Sequence, residues 1–409
     1  MKIAVFSDTF KPRVDGVTIS TYQFIEALTE KGHEFLIFCP EYSSDNTVEI
    51  AGNKIIRLSS LPLPSYPEIR MALPAPGIIR NALETFKPDL IHFQTPGFIG
   101  QFAVLAAKHY GIPLVGTYHT LVSKQGTYLS PYRLLKLDTL NDFFESKNPI
   151  LNFMESISRT AEQLIAKPMI SSLCNNIYEN ADLIISPSRT VKKELIDAGI
   201  HTPIRVVSNG IDRKQFPGKP KELNSEEVKI LYAGRISFEK NCNIVLDAFE
   251  IILKTLPSAQ LNFIGTGPAL ESLKISAEEK NIAHSVTFSG MIPHEKLYEE
   301  FIQHDVFITA STMETQGMVV LEAISSGLPC IGVNSHALPE LIVNGENGFL
   351  SKEGDYRSLA ENALRILQDR ELYRQFSVQS IEISLRHSLE ASCIKLEEIY
   401  KDMQQIKAK

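Results

Sequence analysis

Short runs of apolar residues alternate with longer stretches of helical periodicity, and the alternation continues along the chain. Runs at residues 3–6, 35–38, 90–93, 114–117, 183–186 and 205–207 predict one set of strands. Runs at 230–232, 261–264, 286–288, 306–309 and 330–333 predict a second. Continuous apolar strands separated by helical crossovers predict parallel sheets covered on both faces. Between the sets lie Ser208-Asn209-Gly210-Ile211-Asp212 and Phe216-Pro217-Gly218-Lys219-Pro220, turn-forming residues that predict an interdomain linker over 208–225. The reading is an α/β protein of two doubly wound, Rossmann-like domains, 1–207 and 226–387, facing a cleft. A terminal helix over 388–409 could cross back to the first domain. Such sheets bind ligands beyond the carboxyl ends of their strands, so the loops there carry the chemistry.

Two stretches depart from the alternation. Residues 61–80 are rich in proline yet apolar, which predicts a shaped loop. Residues 121–180 read as a helical insertion in which Tyr128, Tyr132, Phe143 and Phe144 are interleaved with Arg133 and Lys136.

Composition narrows the class. A chain of 409 residues exceeds one typical core and fits two domains of roughly 200 each. The net charge of −7 is unevenly shared: residues 1–205 hold 20 basic and 20 acidic side chains, so the deficit lies in the remainder. Without a basic excess, nucleic-acid binding is not expected; an anionic membrane surface remains open to the first half through local patches. No run approaches the ~20 apolar residues that span a bilayer. The five cysteines are scattered without C-x-x-C spacing, which argues against a disulfide framework or zinc site and for a reducing cytoplasm.

Residues 311–327 are the most informative stretch. A polar loop carrying Glu314 passes through Gly317 into an apolar segment, Met318 and Val319 onward, that holds Glu322. A glycine before a helix lets backbone N–H groups approach an anion, and the helix dipole favours it. Carboxylates at these two depths could each reach hydroxyls of one ligand, as a sugar nucleotide would need; the same residues also fit a plain capped helix. After the first strand, Gly16 and Val17 open another helix, as anion site or as simple turn. After the strand at 230–232 come Arg235 and Lys240, a planar two-pronged cation and a point charge suited to phosphate. His119 ends the fourth strand, where a lone histidine is more often structural than catalytic. Gly265-Thr266-Gly267-Pro268 and Gly290-Met291-Ile292-Pro293 read equally as pocket wall or tight connection.

In their order, the glycine loop, His119, Asn209-Gly210-Ile211-Asp212, Gly234-Arg235 with Lys240, and Glu314 through Glu322 resemble the retaining family 4 glycosyltransferases of the GT-B fold. The resemblance covers almost the whole chain, and Glu314 to Glu322 is similar to the family's E-x7-E motif. It implies that Glu314 holds donor-sugar hydroxyls, assisted by the backbone of Gln316, Gly317 and Met318. Glu322 is then the ribose ligand, and Arg235 and Lys240 the diphosphate clamp, completed by Gly16. His119 would lie beside the transferred sugar, and the backbone at Ile292 would meet the base. No carboxylate pair placed for double displacement and no metal-ligand cluster is evident, so no metal and no cofactor beyond the nucleotide-sugar co-substrate is expected.

Glu314-Thr315-Gln316-Gly317 and residues 66–74 further resemble enzymes that glycosylate diacylglycerol. The implied reaction is hexosyl transfer from UDP-glucose to a diacylglycerol-type lipid at the cytoplasmic face of an anionic membrane. Tyr66, Arg70 and Tyr128 are the acceptor-side candidates. A GDP-mannose enzyme acting on a phosphoinositide or glycolipid is the alternative. A UDP-N-acetylglucosamine 2-epimerase, or a non-catalytic sugar-nucleotide-binding subunit, represents the other classes.

Overall fold

The computed structural model describes residues 1–42, 49–63, 66–119, 175–223 and 227–407. They form two compact units. Met1–Pro187, Lys192–Val207 and Cys393–Lys409 make the first; Ser188–Val191 and Ser208–Ser392 make the second.

The first unit holds β1 (Lys2–Phe6), β2 (Glu34–Pro40), β3 (Lys54–Leu58), β4 (Ser60–Leu63), β5 (Tyr66–Ala72), β6 (Leu90–Phe93), β7 (Leu114–Thr117), β8 (Leu183–Ser186) and β9 (Ile204–Val206). Seven of these form one sheet in the order β3-β2-β1-β6-β7-β8-β9, every pair parallel. Ile3, Phe6, Ile37 and Phe38 are buried, and Phe6 stacks on Phe38 at 4.5 Å. The strand order reverses between β1 and β6, the position at which doubly wound sheets open a ligand crevice.

The second unit follows the same plan. Its strands are β10 (Lys229–Ala233), β11 (Gln260–Ile264), β12 (Val286–Gly290), β13 (Val306–Ile308), β14 (Cys330–Val333) and β15 (Gly348–Ser351). They pair in parallel in the order β12-β11-β10-β13-β14-β15, reversing between β10 and β13. Two Rossmann-like parallel-sheet domains are therefore present, as the apolar runs predict.

Some features differ from the sequence reading. Part of the proline-rich stretch at 61–80 is a hairpin: β4 and β5 pair antiparallel, with Pro62 opposite Arg70 and a register shift after Pro62. Proline has no N–H to donate, so it is tolerated in such a two-stranded edge ribbon. A helix, Pro76–Phe86, then begins with proline in its first turn, where the missing donor costs nothing.

The segment expected as linker packs into the second unit instead. Phe216 is fully buried, with the rings of His294, Tyr298 and Phe301 around it at 5.6 to 6.3 Å. Ile211 bonds through its backbone to His387 and Leu389. Burying such side chains is worth roughly 1.5–3 kcal/mol each, enough to override the local turn chemistry.

The terminal helix Leu389–Lys407 joins the first unit from Cys393 onward. There Tyr400 Oη lies 2.7 Å from His92 Nδ1, and Glu397 accepts from Lys31 at 2.7 Å and meets His33 at 3.1 Å. Tyr128 and nearly all of the insertion at 121–180 lie outside the described residues. Among the described residues no helix is long and apolar enough to cross a membrane.

Candidate functional site

The two loops that leave β10 and β13 flank the reversal point of the second sheet, and they carry Arg235, Lys240 and Glu314. The β10 loop is fixed from below. Tyr232, buried, donates its hydroxyl to the Arg235 carbonyl at 2.9 Å. Gly265 supports the same loop: a Cβ there would come within 1.9 Å of the Gly234 carbonyl oxygen, so only glycine permits this backbone approach.

A single 3-10 turn, Phe238–Lys240, then presents Lys240. Its Nζ lies 2.5 Å from Glu314 Oε1, with both side chains about four-fifths covered. Asn241 ties the loops together by donating to the Ala310 carbonyl at 3.1 Å. Arg235 and Lys240 are both half-buried.

The β13 loop continues through Thr315, whose carbonyl accepts from Ser188 Oγ at 2.8 Å. Gln316 is buried, and its amide is committed: Oε1 accepts from the Asn209 N–H at 2.8 Å and Nε2 donates to Ser208 Oγ at 2.5 Å. Gly317 follows with φ of 86°, a left-handed conformation that turns the chain into the helix Met318–Ser325. No side chain of the N-cap residue closes that helix start, so the first-turn N–H groups, Met318 and Val319 among them, point out of the helix unpaired within it.

Glu322, one turn in, is 1% exposed. Its Oε1 lies 2.7 Å from His294 Nε2, and its Oε2 is buried without a hydrogen-bond partner among the described residues. Ile292, two residues before His294, is half-buried against the core. Thus Glu314, Gln316, Gly317, Met318, Val319, Glu322, Arg235, Lys240 and Ile292 all belong to the second unit and to loops or helix starts at one end of its sheet.

In the first unit, Gly16 and Val17 begin the helix Gly16–Glu30. Asp15 caps it, accepting from Thr18 N at 2.8 Å, and pairs with Arg13 at 2.6 Å. The positive end of this helix therefore already meets a carboxylate, itself balanced by a guanidinium. His119 follows β7, buried, with Nε2 2.9 Å from Gln94 Oε1. Burial holds its pKa down at about 4, against a smaller opposing pull from Asp15, so the ring is neutral near pH 7. Arg70 spends two donors inside the hairpin, on Ser60 Oγ at 3.1 Å and the Ser60 carbonyl at 2.9 Å. Tyr66 starts β5.

Residues 14–215 match the family described as "Glycosyltransferase Family 4", and residues 214–382 the one described as "Glycosyl transferases group 1". The chain is 30% identical to an alpha-monoglucosyldiacylglycerol synthase of Streptococcus pneumoniae, over 86% of this chain and 75% of that protein.

The chain belongs to the family 4 glycosyltransferases.

A second alpha-monoglucosyldiacylglycerol synthase, from Acholeplasma laidlawii, is 25% identical over 98% of this glycosyltransferase and 97% of its own length. A GDP-mannose-dependent alpha-mannosyltransferase of Corynebacterium glutamicum is also 25% identical, over 98% and 89%. In fold, the glycosyltransferase matches sucrose-phosphate synthase of Thermosynechococcus elongatus, with TM-score 0.74, 20% identity and 98% of each chain covered. It matches Anabaena HepE in complex with UDP-glucose equally well, with TM-score 0.74, 17% identity, and 98% and 100% covered. These likenesses place it in the GT-B fold.

Several residues of the site escape sequence reading. His294 looks like any surface histidine in Pro293-His294-Glu295-Lys296, and Gln215 like a loop residue. Only the fold brings each beside Glu322 or its partner. Asn241 carried a signal, since asparagine directly before an apolar helix fits a left-handed residue, and its φ is 51°.

Proposed function

We propose that this glycosyltransferase moves glucose from UDP-glucose to a diacylglycerol-type lipid, with retention of anomeric configuration, at an anionic membrane surface. The observation that carries the reading is the contact of Lys240 with Glu314 beside Arg235 at the reversal point of the second sheet. In this reading the pair separates when the donor enters: Lys240 turns to the diphosphate and Glu314 accepts from hydroxyls of the transferred sugar.

As the bond from the anomeric carbon to the phosphate oxygen breaks, positive charge grows on the sugar and negative charge on the departing diphosphate. Arg235, Lys240 and the N–H groups of Met318 and Val319 face that second charge, and their stabilisation acts mainly in the transition state. The acceptor hydroxyl attacks from the side the diphosphate leaves, and its proton passes to a phosphate oxygen. Attack and departure on one face give retention. The cations are supplied by side chains, so the reading includes no metal and no resident cofactor.

The lipid acceptor is supported by the similarity to two alpha-monoglucosyldiacylglycerol synthases. It is supported also by exposed Leu61 and Leu73 at the β4–β5 hairpin, apolar side chains available to an acyl chain or bilayer. A second reading, mannosyl transfer from GDP-mannose to a glycolipid, is supported by the similarity to the Corynebacterium glutamicum enzyme.

The test is transfer of label from radioactive UDP-glucose or GDP-mannose into diacylglycerol liposomes containing anionic lipid, followed by organic extraction and NMR of the product. The proposal predicts extractable α-glucosyl lipid from UDP-glucose. Label from GDP-mannose alone would favour the second reading, an inverted anomer would remove the retaining step, and label confined to the aqueous phase would remove the lipid acceptor.

A further inference from the structure

His294 joins two elements that the donor reading uses separately. It follows β12 two residues after Ile292, and its Nε2 reaches Glu322 Oε1 at 2.7 Å on the helix Met318–Ser325. Its other nitrogen has a defined role as well. Gln215 Nε2 lies 3.0 Å from His294 Nδ1 and 3.2 Å from the His294 carbonyl. A carbonyl can only accept, so this Gln215 nitrogen is the amide donor, and Nδ1 accepts from it. The proton of the neutral ring therefore sits on Nε2, which donates to Glu322.

Gln215 is held in turn by the tight turn at Asp212, whose carbonyl accepts from the Gln215 N–H at 3.1 Å and the Phe216 N–H at 3.0 Å. Phe216 packs its ring against the imidazole at 5.6 Å. The imidazole is thus held at both ring nitrogens and packed against one aromatic ring.

The consequence falls on Glu322. One carboxylate oxygen is occupied by His294, and the other, Oε2, is buried with no partner among the described residues. A carboxylate free to rotate would offer both oxygens in many orientations; this one is limited to one oxygen in one direction. We propose that His294, held as its Nε2–H tautomer by Gln215, is the positioning residue that aims Glu322 Oε2 at the ribose hydroxyls of the nucleotide. The inference rests on the donor reading above and adds to it the residues that set ribose selection. It also couples the loop holding Ile292 to the helix holding Glu322, so that base and ribose are gripped by one connected unit.

The experiment is calorimetric titration of the full chain with UDP and GDP, each beside its 2′,3′-dideoxy form. The set comprises wild type, His294→Leu, His294→Gln and Gln215→Leu, each checked for folding by thermal melting. One charge-assisted hydrogen bond corresponds to a ten- to hundredfold preference, so wild type is expected to favour the ribonucleotide by about that factor. In His294→Leu the preference falls to about threefold or less, and donor KM rises while kcat stays near wild type, the signature of lost uniform binding. His294→Gln, whose amide can still donate near the Nε2 position, recovers part of the preference.

A folded His294→Leu that discriminates as wild type does would overturn the proposal. Should that variant fail to fold, Gln215→Leu decides: it frees the tautomer, and an unchanged preference overturns the proposal equally. Wild type that binds a nucleotide without discriminating the hydroxyls overturns the proposal and leaves the donor reading standing. Wild type that binds neither nucleotide removes the donor reading itself.

Discussion

Lys240 and Glu314 neutralise each other at 2.5 Å in a partly covered setting, so removing either leaves a charge without its partner. A charge-assisted contact to the diphosphate is worth roughly 1.5–3 kcal/mol, so Lys240→Ala and Arg235→Ala should each lower kcat/KM by about ten- to a hundredfold. Melting temperature should change little, because neither side chain belongs to the buried core. Steady-state kinetics beside thermal melts check both halves of this prediction. Glu314→Gln should weaken selection of the sugar more than affinity for the free nucleotide, which competition between UDP and UDP-glucose would reveal.

Two buried histidines make the first unit sensitive to acid. Burial lowers His92 to about 3, with a smaller push from His119, and lowers His119 to about 4. Unfolded histidine titrates near 6.5. Between these values the unfolded chain binds more protons than the folded one, so stability is complete above about pH 7 and falls as pH drops. Each residue contributes a slope of up to about 1.4 kcal/mol per pH unit below pH 6. Urea titrations from pH 7.5 to 4.5 should show this loss, and His92→Gln should flatten it. A midpoint independent of pH in that window would contradict the assignment.

At the scale of elements, Phe216 distinguishes a packed segment from a linker. Its ring is fully buried among His294, Tyr298 and Phe301, so Phe216→Ala should cost about 3–5 kcal/mol in the second unit. A flexible linker would tolerate the change within about 0.5 kcal/mol, and denaturant unfolding separates the two.

The same contrast explains what the sequence could reveal. Strands such as Cys330–Val333 are continuous apolar runs, buried on both faces, and Leu90–Phe93 departs from that only at the buried His92, so the run itself marks them. Edge strands are less legible. Lys54–Leu58 mixes charged and apolar residues, and Gly348–Ser351 opens with glycine and ends with serine. The prolines of the β4–β5 hairpin read locally as loop. In the site, Arg235, Lys240 and Glu314 were visible because polar residues after an apolar strand have a predictable place in a doubly wound sheet. His294 was not. Its partners lie 79 and 28 residues away in the chain, at distances set by packing rather than by any local pattern.

For the molecule as a whole, the two units repeat one plan and differ in charge. Residues 1–205 are neutral overall, and the net −7 lies in the remainder. The proposed attraction to an anionic membrane would then draw on local basic and apolar groups rather than on net charge. Flotation with anionic liposomes should recover the protein at low salt and lose much of it near 0.5 M, where the screening length is only about 4 Å. Recovery that ignores salt would assign binding to apolar contact alone; no recovery at either salt would contradict the proposed membrane association.

The central claim is that the loops after β10 and β13 hold a nucleotide diphosphate sugar. Calorimetric titration of wild type and Arg235→Ala with UDP-glucose tests it most directly. The account predicts saturable binding to wild type and at least about tenfold weaker binding to a variant that melts normally. Equal affinity in the two proteins would contradict it.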